Sequence, residues 1–225
     1  GLALSNIRGS SSSIAGLQTS SARYYQRPDQ RHVHVDSSRR SLAGYIAQGA
    51  FTYTDPRGPY TILRSEAVSP GFESNDIGFL NTADYRYASF VAGWNKPKPG
   101  KRVRGQSIDF FGSHMTTYGG ETLDRFVGVG NFTGFQNGWR YSWWTARTAR
   151  TMDQAVAEGG PLVQRPRATI LNWFAGSDNR KRISVEVYGN RRWLESAQLQ
   201  TSVGAYVSAR PSRPGSSRYR RPPRR

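Results

Sequence analysis

The chain has 225 residues, no cysteine, and 32 Lys and Arg against 15 Asp and Glu, which gives a formal net charge of +17. The lack of cysteine excludes disulfide frameworks, thiol nucleophiles and zinc–thiolate sites. No stretch approaches the roughly 18 apolar residues of a transmembrane helix, yet an aromatic content of 12% is too high for a disordered chain.

Alternation of apolar and polar residues, the period of an extended strand, runs through most of the chain. It is clearest around residues 133–145, where Trp139, Tyr141 and Trp143 alternate with Arg140 and Ser142. Turn signals separate the alternating runs. The alternation predicts strands at 10–24, 38–54, 59–68, 82–95, 102–117, 125–147, 167–176, 181–193 and 197–208.

Two of the predicted turns are Asp55–Gly58 and Ser177–Arg180, and the longest irregular connection is expected at Arg150–Arg165. Residues 1–209 are therefore predicted to form one β-barrel domain that is part of a larger barrel. Residues 210–225 are rich in Arg and Pro and contain no acid, so they are expected to be a disordered tail. The predicted fold class is all-β: an antiparallel meander of long hairpins.

The meander fits either a soluble sandwich or a transmembrane, outer-membrane-type barrel, closed or partial and open. Several predicted strands have 12 or more residues, longer than the ~5–6 residues usual in soluble proteins and sufficient to cross a bilayer at a tilt. One face of the strands is rich in small and polar residues, which suits a wet lumen. We therefore favour the membrane barrel, on condition that arginines face inward or lie beyond the bilayer.

The alternation also assigns faces to individual residues. Aromatic residues favour lipid or the membrane interface, whereas charged groups there must be desolvated. The aromatic residues expected to face the membrane are Phe90, Trp94, Phe135, Trp139, Tyr141 and Trp143. The polar residues expected to face the lumen are Asp109, Gln136, Arg140 and Glu186.

Three segments carry a resemblance to a known family. They are the twelve residues Ser69–Leu80, the Gly159–Leu162 segment followed by Arg165-Pro166, and the Gly176–Lys181 turn. In order and spacing they resemble the bacterial family called domain of unknown function 5916, over residues 10–205. The resemblance implies an outer-membrane β-barrel domain that normally follows a family 9-like carbohydrate-binding domain. That domain and a signal peptide are both expected outside this chain, and a glycan is an expected partner only through the absent domain.

The Ser69–Leu80 loop also holds the best candidate functional acids, Glu73 and Asp76. They could bind a cation or a partner at the barrel mouth, but the favoured interpretation is that the loop is kept for its shape. The loop residues concerned are Pro70, Gly71, Phe72, Glu73, Asn75, Asp76, Gly78 and Phe79.

Neither a catalytic site, a metal site nor a cofactor is expected. His32 and His34 would share a strand face, and Asp36, two residues on, is the only candidate third ligand, which makes a weak metal site. His114 and Asp109, five residues apart on a strand, would lie on opposite faces and cannot act together.

Two function classes therefore remain. The first is an outer-membrane barrel domain with the lipid bilayer as its partner, of unknown molecular activity, with an accessory role in glycan binding or uptake. The second is a soluble basic β protein that binds single-stranded nucleic acid through Arg and stacked aromatic rings. The nucleic acid is the less favoured partner, because aromatic residues recur along every strand and are not gathered beside one basic groove.

Overall fold

The computed structural model of the protein describes residues 1–74, 78 and 80–210, and the predicted all-β class is confirmed. Nearly all of these residues belong to strands or to the segments that join them. In chain order, the elements are β1 (Leu2–Arg8), α1 (Ser11–Thr19), β2 (Ser41–Thr54), β3 (Pro59–Val68), β4 (Tyr85–Asn95), β5 (Val103–Thr116), β6 (Thr122–Phe135), β7 (Arg140–Thr148), β8 (Thr151–Asp153), β9 (Val163–Arg165), β10 (Ala168–Gly176), β11 (Ile183–Leu194) and β12 (Leu199–Ala209).

Ten of the strands form one antiparallel meander, in the order β1-β2-β3-β4-β5-β6-β7-β10-β11-β12. The short strands β8 and β9 pair with each other in the connection between β7 and β10. Within the described residues, β1 and β12 each pair on one side only, so the sheet is open and has two free edges. An open meander of long hairpins is one of the two predicted forms.

The predicted strand at 10–24 is wrong, because residues 11–19 form α1. The serine-rich start that suggested a strand is a helix cap: the side chain of Ser10 accepts a hydrogen bond from the Ser13 backbone N–H at 3.1 Å. Ile14 then lies on the buried side of the helix. The strand that pairs with β2 is instead β1, which the alternation did not predict.

The predicted strand at 125–147 is two strands, β6 and β7, joined by a tight turn. Gly138 has a φ of +87°, and the Asn137 side chain accepts a hydrogen bond from the Trp139 backbone N–H at 3.1 Å. Asn-Gly is a strong hairpin signal, but the apolar alternation continues across the turn and hides it. As a consequence, Gln136 lies in the turn and not on a strand face.

The segment Arg150–Arg165 is not the longest irregular connection, because it contains β8 and β9. Residues 20–40, which contain neither helix nor strand, form a longer irregular segment. This segment follows α1 and returns the chain from β1 to β2.

The two ends of the sheet differ. At one end, which we call the turn end, the strands are joined by short turns at 55–58, 96–102, 136–139 and 177–182. At the other, which we call the loop end, lie the longer connections 9–40, 69–84 and 149–167 together with two short turns at 117–121 and 195–198. Long loops confined to one end are typical of outer-membrane barrels.

The longer connections cover only one face of the sheet, which we call the inner face. Ile14 and Tyr25 pack on Leu42, and Phe72 and Ala83 pack on Val68. These two clusters, at the loop end, contain most of the fully buried apolar side chains. The opposite, outer face is defined by the alternate residues of each strand.

Candidate membrane-facing surface

The outer face is apolar along most of every long strand. Its residues follow from the cross-strand pairs, because paired residues project to the same side of a sheet. Apolar residues of this face include Leu4, Phe51, Leu63, Phe90, Trp94, Phe110, Val127, Tyr141, Trp143, Trp173, Val187, Val203 and Val207. Two polar residues of this face form a hydrogen bond with each other: the Thr133 hydroxyl donates to Asn131 Oδ1 at 3.1 Å.

Charged residues of the outer face lie towards the strand ends. At the loop end they are Arg8, Arg86, Arg125, Arg147 and Arg191, and we call the last four, which lie on β4 to β11, the arginine belt. No Asp or Glu lies on the outer face of the described long strands. The apolar surface is therefore bounded on one side by positive charge.

The arginine belt crosses the sheet diagonally. The cross-strand pairs give each arginine a level along the strand direction. Measured in this way, Arg125, Arg147 and Arg191 lie two, four and six residues further from the loop end than Arg86. Arg86 and Arg191 are five strand spacings apart. Six residues at about 3.4 Å each span about 20 Å along the strands, and five spacings of about 4.8 Å span about 24 Å across them. The belt therefore slopes by ~40°. That slope lies within the ~35–45° by which strands tilt in transmembrane barrels.

The outer face also leaves large apolar side chains uncovered. Exposed fractions reach 58% for Phe51, 60% for Val127 and 70% for Val203. The chain has an accessible surface of 15362 Å², whereas a compact monomer of 25.2 kDa has roughly 10,300 Å². Residues 211–225 would account for at most about 2,600 Å² of this as an extended chain, so an excess of roughly 2,500 Å² remains. Soluble monomers rarely expose apolar patches beyond about 600 Å².

Four of the residues expected to face the membrane, Phe90, Trp94, Tyr141 and Trp143, lie on strands with their side chains on this outer face. Phe135 ends β6 on the same side, and its N–H donates to the Trp139 carbonyl at 2.8 Å where the hairpin closes. Trp139, expected on the same strand face, lies instead in the turn between β6 and β7, where it is exposed. Whether lipid contacts these side chains stays a prediction.

The inner face carries charged residues, and two of its hydrogen-bonded pairs reach across an intervening strand. The Tyr60 hydroxyl bonds to Asp109, and Arg140 Nη2 lies 2.7 Å from Glu186 Oε1. In each pair a glycine stands between the partners on the intervening strand, so the side chains meet across it. Asp109, Arg140 and Glu186 thus lie on the inner face, whereas Gln136 bonds to the Gly100 carbonyl in the turn.

A cavity of about 500 Å³ opens on the inner face beside this network. Its lining includes Phe111, Phe126, Phe132, Trp144 and Ile170. The Phe111 ring meets those of Phe126 and Trp144 edge-on, with centroids 6.2 Å apart in both pairs. A Cβ on Gly128, the cross-strand partner of Phe111, would lie only 2.7 Å from its ring, so the glycine makes room for the aromatic side chain.

The Ser69–Leu80 loop packs onto the inner face at the loop end. Arg23, whose side chain is 1% exposed, lies 2.7 Å from Glu73 Oε2 and also bonds to the Phe72 carbonyl. A buried arginine requires a charged partner, which gives Glu73 a structural role. Pro70 precedes Gly71, where a Cβ would collide with the Ala43 carbonyl. Of the predicted loop residues, Asn75, Asp76 and Phe79 lie outside the described part, and Gly78 is exposed.

Sequence reasoning missed a second buried contact, between His32 and Asp84. His32 Nε2 lies 2.8 Å from Asp84 Oδ1, and the Tyr118 N–H donates to the same oxygen at 3.1 Å. Burial raises the pKa of the Asp84 carboxyl, against the lowering effect of the His32 hydrogen bond. No group of three metal-ligating side chains occurs among the described residues, and His34 and Asp36 are exposed. The contact spans 52 positions in the sequence, so no local pattern signals it.

Two turn-end aspartates share one arrangement. Asp55 accepts hydrogen bonds from the backbone and guanidinium of Arg57, and Asp178 does the same with Arg180. The arginine hydrogen bonds lower the pKa of each carboxyl to about 2. These are the two turns that the sequence predicted.

Comparison of the chain with models of known protein families, with curated proteins and with solved structures finds no match. The resemblance to domain of unknown function 5916 therefore stays a prediction. The only described helix, α1, is too short to cross a bilayer.

Proposed function

We propose that this chain forms part of the wall of an outer-membrane-type β-barrel, located in the bacterial outer membrane. The slope of the arginine belt is the observation that carries the proposal. A soluble sheet has no reason to end its apolar surface along a diagonal, whereas tilted strands in a bilayer must do so, because the membrane surface cuts each strand at a different residue.

The small core supports the same proposal. Nine apolar residues are buried among the described part of the chain, and four of them are alanines. Such a core stabilises a sheet of ten long strands poorly in water. In lipid the outer face needs no second protein layer, and backbone hydrogen bonding becomes the main stabilising contribution.

The two free edges of the sheet require partner strands in a membrane. An unpaired backbone N–H or C=O in hydrocarbon costs several kcal/mol, and the edge strands β1 and β12 have 7 and 11 residues. Insertion therefore requires partner strands on both edges, supplied in vesicles by other copies of this chain and otherwise by the rest of the larger barrel that the sequence predicts. The predicted link to glycan uptake is supported by the family resemblance alone.

Two adjacent tryptophans provide the test. Trp143 lies on the outer face and Trp144 on the inner face of β7. The chain is refolded into phosphatidylcholine vesicles whose acyl chains carry bromine, which quenches tryptophans that touch lipid. We expect Trp143→Phe to remove a strongly quenched component of the fluorescence and Trp144→Phe to remove a weakly quenched one.

Two results would contradict the proposal. Equal quenching losses in the two variants would contradict the assignment of faces. A chain that stays monomeric without detergent, is not quenched and binds oligothymidine with steep salt dependence would support the nucleic-acid hypothesis instead.

A further inference from the structure

The positive charge of the arginine belt is concentrated at its centre. A cavity of about 320 Å³ lies there at the outer surface, and its lining includes Arg125, Arg147 and Arg167. Arg125 and Arg147 belong to β6 and β7, while Arg167 immediately precedes β10. No acidic side chain lines this cavity.

Two of the three arginines have no anionic partner. Within the described residues, neither Arg125 nor Arg147 makes a side-chain hydrogen bond or ion pair. Arg167 lies 3.7 Å from Glu195, but that carboxylate is also bound by Arg150. The cavity therefore presents a net positive charge with free guanidinium donors.

The lower wall of the cavity is apolar. Val127, which lines it, is the cross-strand partner of Arg147 and is 60% exposed. Along β7, Arg147 follows Trp143 by four residues, about 14 Å along the strand. An occupant seated here would meet guanidinium groups on one side and the apolar outer face on the other.

We infer that this cavity binds the phosphate group of an anionic lipid headgroup, with the acyl chains of that lipid lying along the outer face. Arginine suits phosphate, because its planar fork donates two hydrogen bonds to two oxygens at once. The amphipathic lining favours a lipid over a free phosphate ion. The inference rests on the proposed function, since it places the arginine belt at headgroup level.

The test measures lipid selectivity of the full chain in phosphatidylcholine vesicles. Spin-labelled phosphatidic acid and spin-labelled phosphatidylcholine report the fraction of each lipid that the protein immobilises. We expect wild type to prefer phosphatidic acid about 25-fold, and the Arg125→Gln/Arg147→Gln variant to lose most of that preference, because each arginine contributes about fivefold. Both residues are exposed, so these changes leave folding intact.

Arg104→Gln is the matched control, because Arg104 is an exposed arginine of the same sheet near the turn end. The lipid preference of this variant should equal that of wild type. A wild-type ratio near one, or equal losses in the control, would overturn the inference while leaving the barrel proposal standing. Displacement of the lipid by about 50 mM inorganic phosphate would show that the site takes free phosphate. If the protein immobilised neither lipid, the barrel proposal itself would fail, and this inference with it.

Discussion

Gly71 offers a sharp test of why the Ser69–Leu80 loop has its sequence. An added Cβ would overlap the Ala43 carbonyl oxygen and would lie 3.1 Å from its carbon. Ala43 is held by its pairing with Asn6 on β1, so the loop must move instead. Moving it displaces Phe72, which is 8% exposed and packs on Val68.

The expected cost follows from these contacts. Overpacking typically costs about 1–3 kcal/mol, and complete loss of a buried phenylalanine about 3–5 kcal/mol. Gly71→Ala should therefore lower the free energy of unfolding by about 2–3 kcal/mol. The lack of space is the cause, since Gly71 has no positive φ.

Gly78 in the same loop is the matched control. It is exposed, and among the described residues the nearest neighbour of a Cβ there would be Ser74 Cβ, at 4.0 Å. Gly78→Ala should change stability by no more than about 0.5 kcal/mol. Urea unfolding of the detergent-refolded protein, followed by tryptophan fluorescence and far-UV circular dichroism, measures both variants. Equal midpoints for Gly71→Ala and wild type would refute the steric argument.

Three further outcomes are expected. Glu73→Gln leaves the buried Arg23 without its charge partner and should cost about 3 kcal/mol in the same urea assay. Ile14→Ala removes a fully buried side chain and should cost about 2–4 kcal/mol, seen as increased protease sensitivity of residues 9–40. Asp178 has its pKa lowered by Arg180, so its stabilising effect is present above pH ~4 and is lost as pH falls towards 2, which an acid titration of the folded fraction detects.

Conservative variants separate these effects from general damage. Asp36→Asn breaks an exposed pair, in which Asp36 Oδ2 lies 3.8 Å from Arg39 Nε, so it should change stability much less than Glu73→Gln. Asp178→Asn should remove the pH-dependent component below pH ~4. An acid profile identical to that of wild type would show that the turn carboxylate does not contribute.

The strands were predictable because each has one apolar side, and the period of two is visible without knowledge of the partner strand. The predicted bounds 59–68 agree with those of β3, Pro59–Val68. The errors arose where two local signals competed. Ser10 caps a helix within a segment that also alternates, and Asn137-Gly138 turns the chain within an unbroken apolar pattern.

The loop-end contacts could not be predicted in the same way. Arg23 and Glu73 are 50 residues apart, and only packing of residues 20–40 onto the inner face brings them together. The arginine belt is a different case. Its members were visible as scattered cations, but the slope that gives them meaning depends on strand register, which alternation leaves undetermined.

The even number of strands in the sheet has a consequence for topology. Arg210 lies at the turn end, and Gly1, which binds Gln48 near the middle of β2, begins β1 from the same direction, because ten antiparallel strands return the chain to the side from which it starts. In a membrane, any polypeptide joined to either terminus would emerge in the same compartment. Residues 9–40, 69–84 and 149–167 would face the opposite compartment, so a protease added to one side only should cleave tags at both termini or these loops, but never both.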